Sequence, residues 1–110
     1  MKGPSPGRFQ QIFSEGDRAN SPNLTMYVLS GSGAIGVTTS RKIGCRARRN
    51  RVRRRVREIA RIQESRLAKW DSVIVAKASA DHAKFETVCN DLGQLIDELE
   101  RRWEKQSESF

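Results

Sequence analysis

With 110 residues, of which 36% are hydrophobic and 6% aromatic, the chain has material for one small domain with a modest core. Its 21 Lys and Arg outnumber 13 Asp and Glu to give +8, a balance that favours a polyanionic partner. Transmembrane and secretory classes are excluded by pattern: the longest aliphatic run is Val73–Ala76, against roughly 20 residues for a membrane span, and MKGPSPGRF has no apolar signal core.

In chain order, the Gly/Pro-rich start predicts a flexible tail over residues 1–7, ahead of a single domain over 8–104. Ser5-Pro6 can still supply an N-cap and a first helical residue. Phe9, Ile12 and Phe13 follow at the spacing of one helix face, and Gly16 is a natural stop. Leu24–Ser30 alternates and is rich in strand formers. Gly31-Ser32-Gly33 reads as a turn and Ala34–Ser40 as a second strand, so the pair predicts a tight β-hairpin.

The next segment holds the charge. Residues 41–61 contain eleven of the basic side chains and a single acid, Glu58. At about 100° per residue, Val52, Val56 and Ile59 cluster on one side with Ala60 beside them, while Asn50, Arg54, Arg57, Glu58 and Arg61 fall opposite. A disordered basic tail has no reason to keep three β-branched residues in register. The segment is therefore an amphipathic helix, Cys45 to Gln63, seated on a core with its arginines outward. A focused basic patch on a near-neutral body is the footprint of a nucleic-acid binder.

After a polar linker, Trp70–Ala78 predicts a third strand, apolar enough for a sheet interior. Ser79 or Asp81 can cap a last helix. Its apolar stripe is Phe85, Val88, Cys89, Leu92, Leu95, Ile96, Leu99 and Trp103, and its acidic outer face is a solvated scaffold. Residues 105–110 should fray. The order α-β-β-α-β-α describes an α+β fold, a two-layer sandwich of a small sheet with helices. Cys45, Cys89 and His82 are too few and too scattered for a zinc site. The cysteines read as small buried hydrophobes or free thiols, which suits a reducing, cytoplasmic location. His82 reads as a surface residue at a helix start.

These motifs resemble the bacterial ribonuclease P protein component. The resemblance rests on Ser40-Arg41-Lys42-Ile43-Gly44 leading into a helix with an Arg49-Asn50-Arg51 core, then Arg53, Arg54, Arg57 and Glu58. Upstream, Phe9, Phe13, Gly16 and Tyr27 fit the same family, from about residue 8 to 104. Cys45-Arg46-Ala47 stands where that family usually has Asn-Ala-Val. The resemblance implies a fourth strand and a left-handed βαβ crossover. It implies an enzyme subunit that assists endonucleolytic removal of the 5′ leader from precursor tRNA, with the chemistry in the catalytic RNA and its Mg2+. It implies no cofactor on the protein, no membrane contact and no required protein partner. The RNA-binding residues would be Arg41, Lys42, Arg46, Arg49, Asn50, Arg51, Arg53, Arg54, Arg57 and Arg61. The leader would lie in a cleft with Phe9, Phe13, Tyr27 and Arg49, where aromatic faces can stack unpaired bases.

Two other classes compete. A generic RNA-binding protein, such as a ribosomal protein, needs the patch but not the paired phenylalanines, the Tyr27 strand and the Arg-Asn-Arg spacing together. A protein-only nuclease needs clustered carboxylates for metal ions, and the acids here sit mostly on the last helix.

Overall fold

The computed structural model describes residues 2–108. Helix α1 (Pro6–Glu15) starts where expected: the Ser5 hydroxyl accepts the Arg8 N–H at 3.3 Å, and Pro6 occupies the first turn. Strands β1 (Asp17–Asn20), β2 (Leu24–Ser30) and β3 (Ile35–Thr39) follow, then helix α2 (Arg46–Ile62) and a short helix α3 (Glu64–Leu67). Strand β4 (Trp70–Ala76) is followed by a 3-10 turn at Ala78–Asp81 and by helix α4 (Phe85–Glu108). The basic helix thus forms within one residue of its expected ends. The expected flexible tail includes Pro6 and Gly7, which are helical, and the Ile35 N–H donates to the Lys2 carbonyl at 2.8 Å; Met1 lies outside the described residues. The expected frayed end is helical through Glu108, and residues 109–110 lie outside the described residues.

The fold is α+β, on a mixed four-stranded sheet of order β1-β2-β4-β3. The expected hairpin between the second and third strands does not form. Strand β4 lies between them, antiparallel to β2 and parallel to β3. The cause is the linker, which is tied to the start of β4. Gly31 and Gly33 N–H groups donate to the carbonyls of Lys69 and Trp70 at 3.1 and 3.0 Å. The Asp71 carboxylate accepts the N–H groups of Ser32 and Ala34, both at 3.1 Å. A Cβ at Gly31 would sit 2.2 Å from the Asp71 carboxyl carbon, so only glycine lets the chain pass this close. Strand β1, which composition concealed, pairs with β2 at the opposite edge and buries only Ala19.

Alternation along β2 separates the two sheet faces. Leu24, Met26 and Val28 join Trp70, Ile74 and Ala76 of β4 in a core completed by Val52, Val56, Ile59 and Ala60 of α2 and by Val88, Leu92, Leu95, Ile96 and Leu99 of α4. Phe85, expected in this stripe, is 44% exposed. Ser79 and Asp81 do not cap α4. The Ser79 hydroxyl donates to the Pro22 carbonyl and to Asn23 Oδ1, and Asp81 faces the arginines of α2.

The opposite face carries Tyr27 and Gly36, both in register with Val73, and α1 lies across it. Arg8 pins α1 there: its Nε donates to Asp71 Oδ2 at 2.8 Å and its Nη2 to the Ser30 carbonyl at 2.7 Å. Burial raises the Asp71 pKa, but the Arg8 guanidinium and the two backbone N–H groups outweigh it and hold the carboxyl below its ordinary value.

Candidate nucleic-acid interface

Seventeen residues of α2 keep a helical register, and only Val52, Val56, Ile59 and Ala60 are buried. Everything else on this helix faces outward or grazes its neighbours, so its arginines divide by direction. Arg54, Arg57 and Arg61 lie one turn apart on the side toward β3, and no hydrogen bond or ion pair engages them among the described residues. Together with Glu58 they form one wall of a cavity of about 490 Å³.

The sheet order explains that cavity. Strand β3 is an edge strand, with α2 on one face of the sheet and α1 on the other. Side chains from both faces converge only past its free edge. Ile35, Gly36 and Val37 form the floor, and Pro4 and Phe9 the far wall. A Cβ at Gly36 would approach both the Phe9 ring and Pro4 to 3.1 Å, so the absent side chain is what lets them settle on the strand. From Phe9 an aromatic row continues along α1 and the sheet. Phe9 and Phe13 have ring centroids 5.1 Å apart at 55°, and Phe13 and Tyr27 4.8 Å apart at 57°, the tilted geometry that aromatic pairs favour. All three rings are half-buried, leaving part of each face open. A strip of partly open rings, ending in a cavity lined by unpaired guanidinium groups, can stack bases and receive phosphates together.

The other candidate residues are spread along the same surface. Arg41 and Lys42 are exposed in the loop between β3 and α2, and Arg46 is exposed at the first helical position. Asn50 is exposed and accepts from Arg53 Nη1 at 3.2 Å. Arg49 is half-buried; it does not line the cavity that holds Phe9. Phe13 and Tyr27 likewise flank the cavity without lining it. Arg51 turns away from β3 toward Asp81. Sequence reasoning missed Pro4 and Gly36 as parts of the site, although a lone glycine inside a strand is a known mark of close approach. It also missed the pairing of Asp81 with α2, for which no local pattern exists.

Both cysteines are free. Cys45 is exposed as the N-cap of α2, without a side-chain capping bond, and Cys89 is half-buried. The N–H of Arg48 favours the Cys45 thiolate and brings its pKa below the ordinary value. Burial pushes the Cys89 thiol up. His82 is exposed after the 3-10 turn. Among the described residues no three His, Cys, Asp or Glu side chains converge on a metal position, and no helix is long and apolar enough to cross a membrane.

Comparison with known proteins finds relatives across nearly the whole chain. The family model for ribonuclease P matches residues 5–100. The chain is 34% identical over 92 residues to the ribonuclease P protein component of Syntrophus aciditrophicus, covering 80% of this chain and 77% of that protein. It is 33% identical over 101 residues to the ribonuclease P protein component of Vibrio cholerae, covering 88% and 86% respectively. The solved structure of the RNase P protein from Thermotoga maritima superposes with a TM-score of 0.75 at 25% identity, covering 87% of this chain and 96% of that one.

Proposed function

This chain belongs to the ribonuclease P family as a protein component, part of an RNA–protein enzyme of tRNA processing, and from that premise we propose how it works. It binds the catalytic RNA through the outward arginines of α2 and guides the 5′ leader of precursor tRNA along the aromatic row. The observation that carries this reading is the cavity at the free edge of β3. Among the described residues Arg54, Arg57 and Arg61 stand unpaired on one wall, with Phe9 on the other, so a single strand there meets phosphate receptors and a stacking surface within one site.

Each part of the device has a physical task. Guanidinium forks meet phosphate oxygens bidentately and release condensed counterions, which supplies affinity without reading sequence. An unpaired leader can splay its bases onto Phe9, Phe13 and Tyr27, each stack contributing about 1–3 kcal/mol. By neutralising phosphates of two RNAs that repel each other, the protein lowers the Mg2+ needed to hold them together. In this reading the RNA holds the metal ions and performs the hydrolysis, and the protein acts in the cytoplasm beside its RNA.

The test is cleavage of a precursor tRNA by a bacterial ribonuclease P RNA at low Mg2+, with and without this protein. Processing at the 5′ end should rise when the protein is added. No gain overturns the proposal, and cleavage by the protein alone would place the chemistry on the protein instead.

A further inference from the structure

Three arginines of α2 are oriented differently from those at the cavity. Arg48, Arg51 and Arg55 follow at i, i+3 and i+7, on the flank that meets the segment between the 3-10 turn and α4. Arg55 Nη1 donates to the Ala83 carbonyl at 2.9 Å, fixing that segment against the helix. Two residues earlier, Asp81 receives both other arginines. Its Oδ2 lies 3.4 Å from Arg48 Nε and its Oδ1 3.4 Å from Arg51 Nη2.

The exposures within this triad decide what it does. The Asp81 side chain is 4% exposed, whereas those of Arg48 and Arg51 are 49% and 64% exposed. The carboxylate lies beneath and the guanidinium groups lie on top. An acid that merely quenched surplus charge would compete for the outer side, where solvent and partners approach. This one contacts a single nitrogen of each guanidinium and leaves the remaining donors of both forks facing outward. The two groups would repel if left alone; one buried carboxylate draws them together and removes much of their rotamer freedom before any partner arrives. Preorganised forks lose less entropy per bond formed.

We propose that Asp81 is a positioning residue for RNA binding, holding Arg48 and Arg51 side by side so that their free N–H donors receive RNA phosphate. The inference rests on the RNA-binding reading above. It extends the interface from the cavity side of α2 to its opposite flank, and it gives Arg48, which the Arg-Asn-Arg core does not include, the same task as Arg51. His82, whose Nε2 lies 3.8 Å from Asp81 Oδ2, and Lys84 are exposed beside the triad.

The proposal has a sign that simple electrostatics lacks. Asp81→Asn removes a negative charge from an already basic surface, which by charge alone should tighten binding and steepen its salt dependence. As a positioning residue its loss should instead weaken binding to a bacterial ribonuclease P RNA by about three- to tenfold and flatten the salt slope by about one phosphate contact. Asp81→Glu should restore most of the affinity, and Asp81→Asn should have no further effect once Arg48 and Arg51 are both alanine. Equal or tighter binding by a folded Asp81→Asn protein overturns the proposal. Should that variant fail to fold, Arg51→Lys decides: it keeps the charge but loses the fork, so weaker binding is expected and unchanged binding overturns. Wild-type protein that fails to bind this RNA at all would sink the RNA-binding reading itself, an outcome distinct from either.

Discussion

Helices α2 and α4 lie on the same face of the sheet, and each buries one apolar stripe in the same core. Their outer faces differ in where the charge finds a partner. On α4 three of the outer acids are engaged within the fold: Glu100 is bound by Arg66 and by Lys69, Asp97 by Arg66 at 2.5 Å, and Glu98 by Arg102 at 2.9 Å. On the cavity side of α2, Arg54, Arg57 and Arg61 have no such partner among the described residues. Like charges one turn apart destabilise an isolated helix by a few tenths of a kcal/mol per pair. The fold tolerates that cost on α2 because its stripe is anchored, and a polyanion removes it. The sign of a helix face is therefore less informative than whether its charges are already engaged.

The feature both helices share should carry the largest effect. Leu99→Ala removes a fully buried side chain from the α4 stripe and should cost about 2–5 kcal/mol of unfolding free energy. Urea denaturation measures it. RNA affinity of the fraction still folded should stay as it was. A large change there would show that α4 also shapes the interface.

Next in size is a crossed pair that separates the two outer faces. Arg57→Ala should lower affinity for the RNA by about three- to tenfold and the salt slope by about one contact, with no loss of thermal stability. Arg66→Ala should do the reverse. It strips Asp97 of its cation and leaves Glu100 with Lys69 alone, costing about 1 kcal/mol or less at this half-exposed position, while RNA binding keeps its slope. If both variants moved both readouts, the contrast between an engaged and an unengaged helix would collapse.

Periodicity made both helices legible in advance, because Val52, Val56, Ile59 and Ala60, like Val88 through Leu99, repeat at the helical interval and are buried as that interval requires. The β2 boundaries were equally readable. The sheet order was not: a Gly-Ser-Gly linker between two strands looks the same whether the strands pair or flank a third. What decides is Asp71, forty residues away in sequence, whose carboxylate organises the linker. Strand β1 escaped because Asp17, Arg18 and Asn20 carry no strand signature, and backbone pairing with β2 alone defines it. In the site, charge focusing pointed to α2 and aromatic spacing to Phe9 and Phe13. The meeting of α1 and α2 past the edge of β3 depends on that sheet order, so Pro4 and Gly36 were hidden with it.

A pH titration probes the engaged face at smaller scale. Lys69 most of all, and Arg66 with it, hold the Glu100 carboxyl below its ordinary value against the opposing effect of burial. A carboxyl with a depressed folded-state pKa stabilises the fold fully above its unfolded value and loses that contribution as pH falls through the folded one. Wild type should therefore melt higher than Glu100→Gln at neutral pH, by an amount within the range of about 0–1 kcal/mol typical of exposed ion pairs. The gap should close as pH falls below the ordinary glutamate range. A gap that persisted in acid would mean that Glu100 stabilises by packing rather than by charge.

The smallest effect should have the opposite sign. Helix α4 contains Gly93 in its interior, where α2 has no glycine, and a Cβ at that position would meet nothing within 4 Å. Glycine in a helix widens the conformational freedom of the unfolded chain without giving the folded one a contact. Gly93→Ala should stabilise the protein by about 0.4–1 kcal/mol, read as a higher melting temperature with unchanged RNA affinity. The unchanged affinity matters as much as the gain, since it would confirm that α4 can be reinforced independently of α2. A stabilised protein that bound RNA less well would instead mean that the groove beside Gly93, between α2 and α4, must flex when α2 engages its partner.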